Sequence, residues 1–358
     1  MNISPPWEQF GFWGEILTSL DWLQFYEKRG EMRIGINGFG RIGRTLFRVA
    51  FQRGVEVVGV NDLIGIEEAA YLLQFDSIRG EFPAPVSVEG EFLRVGDWKV
   101  RYTSAPTPEE AHFEGADVVI EATGRFLTTE LAKGHLKGGV KKVILSAPAT
   151  DETPTYVLGV NHHLYRGESI ISNGSCTTNC LAPLAKILET HFGIEAGFIT
   201  TIHSYTMDQR LLDAPNYRDI RRSRAAAVNI IPTFTGAAKA IYRVLPELKG
   251  KLDGRSVRVP TPNVSLLDLV VQLKRGTTRE EVNRLIEEYA TGEMEGILAV
   301  DRQFRVSSDL NGHPASSIVP LDLTQVNNRL VKLFSWYDNE WGYSNRLLEM
   351  GEYILNWG

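Results

Sequence analysis

Cys176 is one of only two cysteines in the chain and stands in the stretch Ser172-Asn-Gly-Ser-Cys-Thr-Thr-Asn-Cys180. That stretch closes a short apolar run, opens a helical pattern and surrounds the thiol with small hydroxyl side chains. A thiolate there can attack a carbonyl carbon, and a helix start beside it is expected to lower the thiol pKa. His203 lies twenty-seven residues on, after the strand-like run Phe198–Ile202, where it can hold or accept the proton. Upstream, Gly38-Phe-Gly-Arg-Ile-Gly43 follows another apolar run. Nucleophile, base and dinucleotide turn together point to an enzyme that oxidises an aldehyde through a thioester. The bland alternatives are a buried inert cysteine and a histidine with a purely structural role. Cys180 suits the inert role better, because it shares the helix face of Cys176 but sits deeper. A disulfide between them inside a regular helix is geometrically poor, and two cysteines are too few for a zinc site, so no metal is expected.

The glycine turn has the required context. A strand pattern over Met32–Asn37 precedes it, helix-spaced Ile42, Leu46 and Val49 follow, and Asp62 stands nineteen residues beyond Gly43. Gly38 permits the tight turn, Gly40 lets a pyrophosphate approach backbone N–H groups, and Gly43 permits close helix packing. The helix N-terminus adds dipole and donors. Asp62 is expected to accept from the adenosine ribose hydroxyls, and a phosphate on that ribose would meet its charge, so NAD is expected in preference to NADP. The alternative is a Gly-rich turn with no ligand.

Anion sites can also be read. Thr206 and Asp208 follow His203 closely, and Thr233-Phe-Thr-Gly-Ala-Ala-Lys239 opens a helix with hydroxyls and Gly236. Arg222 and Arg258 can supply guanidinium forks. Arg222 reads equally well as a surface charge, whereas Arg258 interrupts an apolar strand pattern, for which a phosphorylated substrate is a reason.

The elements that position these groups fall into two kinds. The chain has 358 residues, enough for two domains. Strands over Val55–Val60, Asp117–Thr123 and Val140–Ser146, with a helix near Thr128–Lys137, continue the first unit as a mostly parallel sheet with helices on both faces. After Ser172 the rhythm changes. A helix over Thr177–His191 is followed by strand patterns at Gly197–His203, Ser256–Val259, Ser265–Leu273 and Arg329–Ser335, with helices over Gly236–Leu245 and Thr278–Tyr289. The expected fold class is α/β: an N-terminal Rossmann dinucleotide-binding domain and an α+β catalytic domain with a mixed, largely antiparallel sheet. The expected division is an N-terminal extension over 1–31, the NAD-binding domain over 32–175, the catalytic and phosphate-binding domain over 176–338, and a C-terminal helix over 339–358 that returns to the NAD-binding domain.

Composition limits the partners. Lys and Arg number 38 against 44 Asp and Glu, for a formal charge of −6. No basic block favours nucleic acid as the main partner, and the short Arg218–Arg224 stretch does not change that. No run reaches about 18 apolar residues, so no membrane span is expected. Few cysteines suit a reducing, cytoplasmic setting. Residues 1–31 carry Trp7, Trp13 and Trp22 among acidic residues, with no basic residue before Lys28. That fits neither a signal peptide nor a transit peptide. An amphipathic helix over Trp13–Tyr26, a disordered extension and an upstream start codon are the alternatives.

The same residues resemble the phosphorylating glyceraldehyde-3-phosphate dehydrogenases. Gly35–Arg44 resembles that family's fingerprint, Ser175–Pro183 its nucleophile segment and His203–Gln209 its base segment. Ile231–Lys239, Arg258–Asn263 and Ser335–Tyr343 match three further segments, so that the resemblance covers about residues 32–355. It implies Cys176 as nucleophile and His203 as base. It implies Thr206, Asp208 and Arg258 at the substrate phosphate, and Ser175, Thr177, Arg222, Thr235 and Gly236 at the attacking inorganic phosphate. For the cofactor it implies Gly38, Gly40, Arg41, Ile42, Gly43 and Asp62, with Thr123 and Gly124 lining the cleft, Asn339 on the nicotinamide carboxamide and Tyr343 nearby. The stretch from Asp208 to about Arg224 resembles the loop that reaches a neighbouring subunit, which implies a homotetramer. The implied reaction is the reversible NAD-dependent oxidation and phosphorylation of glyceraldehyde 3-phosphate to 1,3-bisphosphoglycerate, the step shared by glycolysis and gluconeogenesis.

Three departures and several rivals accompany the resemblance; one of them, Val319–Gln325 with Asn327-Asn328, sits away from the matched chemistry and has no physical account. Gly174 stands where the family usually has alanine, and added freedom there is expected to soften the turn. Ala214-Pro215 is intermediate between the Leu-Pro of NAD-specific members and the Ala-Ser of photosynthetic forms that accept NADP. The rivals are an erythrose-4-phosphate dehydrogenase, a dual-cofactor photosynthetic form, and a non-enzymatic binding protein on the same fold. Thr206 and the intact Thr235–Lys239 segment favour the glyceraldehyde 3-phosphate reading over the first, and Asp62 argues for NAD against the second. Retention of Cys176, His203, Arg258 and Asn339 argues against the third.

Overall fold

A computed structural model describes residues 32–217 and 219–357. The helix expected over Trp13–Tyr26 lies outside the described residues. The first sheet contains β1 (Arg33–Asn37), β2 (Glu56–Asn61), β5 (Val86–Glu89), β6 (Phe92–Val95), β7 (Trp98–Thr103), β8 (Val118–Glu121), β9 (Lys142–Leu145) and β10 (Ile170–Ser172). A small hairpin, β3 (Phe75–Asp76) with β4 (Gly80–Glu81), stands apart from it. The sheet order is β10-β9-β8-β1-β2-β7-β6-β5. Pairing is parallel from β10 to β7 and antiparallel over β7, β6 and β5. Ile34, Ile36, Val118 and Ile120 are fully buried, as strands covered on both faces require. The β5–β7 meander was unanticipated from the sequence, because its short half-exposed strands carry weak patterning between the turn glycines Gly90 and Gly96.

Helix α1 (Arg41–Arg53) leaves the glycine turn, and α2 (Ile66–Gln74) follows β2. The helix expected near Thr128–Lys137 is only one α-helical turn, α3 (Thr129–Ala132), followed by a 3-10 turn over Lys133–His135. Gly134 lies inside it, and a Cβ there would meet Glu109 Oε1 at 2.6 Å.

The second half is built on α4 (Cys176–Phe192), α5 (Ala237–Val244) and α6 (Arg279–Ala290) against an eight-stranded sheet. Its strands are β11 (Ile194–Ser204), β12 (Ile231–Phe234), β13 (Leu252–Val259), β14 (Ser265–Leu273), β15 (Leu298–Asp301), β16 (Ser317–Pro320), β17 (Gln325–Asn327) and β18 (Leu330–Tyr337). The order is β12-β13-β11-β14-β18-β16-β15, with β17 on β18. The β11–β13 and β15–β16 pairs are parallel and the rest antiparallel, so the sheet is mixed and largely antiparallel as expected. Alternate residues Leu267, Leu269 and Val271 of β14 and Val331 and Leu333 of β18 point into a core shared with Leu181, Leu184 and Leu188 of α4. Helix α7 (Trp341–Leu355) then places Leu347, Leu348, Met350 and Ile354 in the core of the first half, beside Leu46 and Phe47 of α1.

Candidate active site

Ser175 caps α4, its Oγ accepting from Thr178 N at 3.1 Å. Cys176 is therefore the first residue of the helix, where backbone N–H groups have no helical partner. Gly174 precedes the cap with φ +64°, a left-handed value that favours glycine. His203 lies at the far end of β11, next to the last residue of that strand. Its Nε2 sits 3.7 Å from Cys176 Sγ. Arg258 is the register partner of His203 across the parallel β11–β13 pair. Sheet pairing thus brings Arg258 Nη1 to 2.8 Å from His203 Nδ1 and 3.1 Å from Ser204 O.

The His203 ring has two tautomers with different uses. Nδ1 also lies 2.7 Å from Ser204 O. With its hydrogen on Nδ1, donated to that carbonyl, the ring presents a lone pair at Nε2 and can take a proton. With Nδ1 accepting from Arg258, Nε2–H faces the sulfur and can donate. Burial, reinforced by the Arg258 charge, pushes the His203 pKa down to about 3. Burial pushes the Cys176 thiol up, against the opposing pull of Arg258 and Thr177. The direction for the thiol is opposite to the lowering expected from the helix start, because desolvation opposes the N–H groups and the Arg258 charge.

Tyr337 underlies both groups. Its hydroxyl bridges Thr177 Oγ1 at 2.9 Å and Thr201 Oγ1 at 2.7 Å, and its ring meets the His203 ring edge-on at 6.0 Å. Tyr337 has no role in the sequence reading, since one tyrosine in an aromatic segment carries no distinguishing signal. Thr177 is buried, with its hydroxyl committed to this bridge.

Among the expected anion groups, Arg222, Asp208 and Thr206 are linked directly. Arg222 is buried, donates from Nε to Thr233 Oγ1 at 3.0 Å and pairs with Asp208. Asp208 also accepts from Thr206 Oγ1. Burial alone would raise its carboxyl, yet the Thr206 bond and the Arg222 and Arg258 charges hold it below the usual carboxylate range. Arg258 Nε is buried without a partner among the described residues, an unused donor in the expected anion site. Gly236 begins α5 with no side-chain cap of its own, and Thr235 Oγ1 accepts from Ala237 N at 3.2 Å. Ser175 Oγ lies 2.8 Å from Thr178 Oγ1.

The dinucleotide turn has the shape a pyrophosphate needs. Gly38 has φ +97°, and a Cβ on it would lie 2.7 Å from Thr123 N. A Cβ on Gly43 would meet Gly38 O at 2.0 Å, whereas one on Gly40 would meet nothing within 4 Å. Gly40 also begins α1 without a side-chain cap, which leaves first-turn donors for an anion. Asp62 accepts from Phe39 N at 2.5 Å and Ile64 N at 3.2 Å, and stays partly exposed. It lines a cleft of about 220 Å³ with Gly38, Gly40, Leu63, Pro106, Thr123 and Phe126. Gly124 follows Thr123 and is exposed, and Ile42 is half-buried in α1. The Arg41 side chain is committed elsewhere, to Asp76 and Glu340. Asn339 Oδ1 accepts from Ser204 Oγ at 2.9 Å and Ser265 Oγ at 2.8 Å, which fixes its amide against the second half. Tyr343 is buried and donates to Gly174 O at 2.8 Å. These features fit a bound NAD.

Beneath the turn lies a group the sequence reading missed. Buried Glu121 accepts from Thr123 N at 2.9 Å and from Asn37 Nδ2 at 2.5 Å, with His135 Nε2 3.1 Å away. A carboxylate in the apolar run Val118–Glu121 was the available signal. Among the described residues no group of three or more His, Cys, Asp or Glu is placed to hold a metal ion, and no helix is long and apolar enough to cross a membrane.

Comparison with known proteins agrees with this arrangement. The NAD-binding-domain model of the glyceraldehyde 3-phosphate dehydrogenase family matches residues 32–129, and its C-terminal-domain model matches residues 175–339. Glyceraldehyde-3-phosphate dehydrogenase of Geobacillus stearothermophilus is 50% identical over 333 residues, 91% of this chain and 99% of that protein. Glyceraldehyde-3-phosphate dehydrogenase 1 of Bacillus subtilis (strain 168) is 50% identical over 333 residues, with the same coverage. Glyceraldehyde-3-phosphate dehydrogenase B of Aspergillus oryzae is 49% identical over 331 residues, again with 91% and 99% covered. A thiol at a helix start facing a strand-end imidazole, beside an uncapped dinucleotide turn, is thus held by a chain that belongs to the glyceraldehyde-3-phosphate dehydrogenase family.

Proposed function

We propose that the protein catalyses the NAD-dependent oxidation and phosphorylation of glyceraldehyde 3-phosphate to 1,3-bisphosphoglycerate. The observation that carries this reading is the 3.7 Å approach of Cys176 Sγ to His203 Nε2 with Arg258 bonded beside the ring. When bound, NAD supplies a hydride acceptor. Cys176 Sγ adds to the aldehyde carbon, and the oxygen gains a proton to give a thiohemiacetal. His203 Nε2 then takes the hydroxyl proton as the C–H electron pair departs, leaving a thioester on Cys176. Oxygen of inorganic phosphate attacks the thioester carbon, the C–S bond breaks, and His203 returns the proton to sulfur. Backbone N–H groups at the start of α4 stabilise the oxyanion in each addition.

Arg258, Thr206 and Asp208 are assigned to the substrate's phosphate, and Arg222, Ser175, Thr177, Thr235 and Gly236 to the attacking phosphate. The Asp208–Arg222 pair joins the two sets, so an anion at either site competes for a guanidinium already engaged. The cofactor is assigned to the glycine turn, Asp62, Thr123, Gly124, Asn339 and Tyr343, with Arg41 and Ile42 contributing through the backbone start of α1. A homotetramer belongs to the same reading. It is supported by the exposed Phe198 on the open face of the second sheet and by exposed Leu211, Leu212, Tyr217 and Ile220 in the loop after Asp208. The free cysteines accord with a reducing, cytoplasmic setting.

The test is NADH formation at 340 nm from glyceraldehyde 3-phosphate, NAD and inorganic phosphate, with parallel assays on erythrose 4-phosphate, with NADP and without phosphate. Phosphate-dependent NADH formation that disappears in Cys176→Ser is expected. A preference for erythrose 4-phosphate, or indifference to phosphate, would overturn the reading.

A further inference from the structure

A buried ionic network ties the loop that carries Asn339 to the dinucleotide-binding half. Asp338, before Asn339, accepts from Glu340 N at 3.0 Å, Trp341 N at 2.8 Å and Gly312 N at 2.7 Å. Its side chain is fully buried. Its counter-charge is Arg79, in the β3–β4 turn, whose Nη1 and Nη2 reach Asp338 Oδ2 and Oδ1 at 2.8 and 2.9 Å. That is a two-bond fork on a carboxylate, the geometry specific to arginine. Arg79 Nη2 also reaches Glu340 Oε2 at 3.4 Å, and its guanidinium lies over the Trp341 ring at 5.4 Å. Glu340, after Asn339, is held by Arg41 at 2.8 and 2.6 Å. Asp76 links the two arginines: it accepts from Arg41 Nη1 at 2.5 Å and from Arg79 N at 2.9 Å.

Asn339 is therefore flanked on both sides by carboxylates anchored to the first half, while Ser204 and Ser265 of the second half fix its amide oxygen. We propose that Arg79 is a positioning residue for the nicotinamide end of the cofactor: its fork on Asp338 sets the backbone that aims the Asn339 amide. The proposal rests on the reading that Asn339 meets the nicotinamide carboxamide. Arg79 is the informative member of the network because it does not line the adenosine cleft, whereas Arg41 begins the helix that binds pyrophosphate. Loss of Arg79 leaves a buried carboxylate with backbone donors but no facing cation beyond those at Glu340, and the turn must shift to reach water.

The test compares NAD with ADP-ribose, which keeps the adenosine and both phosphates but lacks the nicotinamide. Dissociation constants are measured by calorimetry on the full chain for Arg79→Lys, Arg79→Met, Asn339→Ala and the double variant Arg79→Met/Asn339→Ala. Arg79→Met is expected to weaken NAD about tenfold and leave ADP-ribose within about twofold, the size of one misplaced hydrogen bond. Arg79→Lys, which keeps the charge but not the fork, should fall between. In the Asn339→Ala background the Arg79 effect on NAD should vanish. Equal weakening of both ligands, no weakening of either, or full additivity in the double variant would overturn the proposal. If Arg79→Met does not fold, Arg79→Lys, alone and combined with Asn339→Ala, is judged by the same criteria. If Asn339→Ala alone weakens NAD and ADP-ribose alike, the reading of Asn339 fails, and the Arg79 proposal falls with it.

Discussion

His203 is buried against Arg258, so adding a proton to its ring places a cation in a desolvated site already holding one. Its folded pKa of about 3 lies below the ordinary 6.5. The unfolded chain therefore binds this proton as pH falls below about 6.5, while the folded chain does not until about 3. Stability from this group is full above the upper value and is lost as pH falls through that window. Between pH 7 and pH 5 the loss is about 2 kcal/mol by linkage. His203→Asn should lose less stability than the parent over that interval, as read by urea titrations at both values. An anion bound at Arg258 offsets its charge, so the His203 pKa followed by NMR should rise when inorganic phosphate is added. The placement of Cys176 at a helix start and His203 at a strand end was legible in the sequence. The burial that shifts their pKa values was not, because it arises from neighbours distant in sequence, such as Tyr337 and Arg258.

At the scale of elements, two turns set the site. The turn into α4 takes a left-handed residue at Gly174, where a Cβ would come within 3.3 Å of Thr178. Glycine here is therefore suited to the observed backbone rather than simply a softening of it. Gly174→Ala should cost about 1 kcal/mol, visible as a lower urea midpoint with an unchanged slope. The turn into α1 depends on Gly43, whose Cβ would strike Gly38 O. Gly43→Ala should push α1 off β1, at a cost of about 1–3 kcal/mol, and weaken NAD about tenfold or more by calorimetry. The main strands of the second half and helices α4, α5 and α6 were legible from periodicity within a few residues. Strands β15, β16 and β17 and the β5–β7 meander were not, being three or four residues long for the most part and held by pairing rather than pattern.

For the whole molecule, the second sheet has one face covered by helices and one left open in the single chain. Phe198 of β11 pairs in register with Val270 of β14, which in turn pairs with Lys332 of β18, all on the open side. Phe198 is 70% exposed there. On the proposed tetramer, Phe198→Asp should shift the mass toward smaller species in light scattering, because a charge would be buried at the proposed contact. An unchanged mass would detach this face from the assembly.

Residue types and their spacing set the chemistry available: a thiol at a helix start, an imidazole at a strand end, a dinucleotide turn with Asp62, and arginines out of pattern. Each is a local property of residue type and spacing, readable without knowing what lies across the chain. How these groups act on one another follows from the folded arrangement. Register across β11 and β13 put Arg258 on His203, burial pushed the His203 pKa down, and the Arg79–Asp338 fork joined residues 259 positions apart around Asn339. Such contacts depend on sheet order and desolvation, and neither is carried by any one segment of the chain.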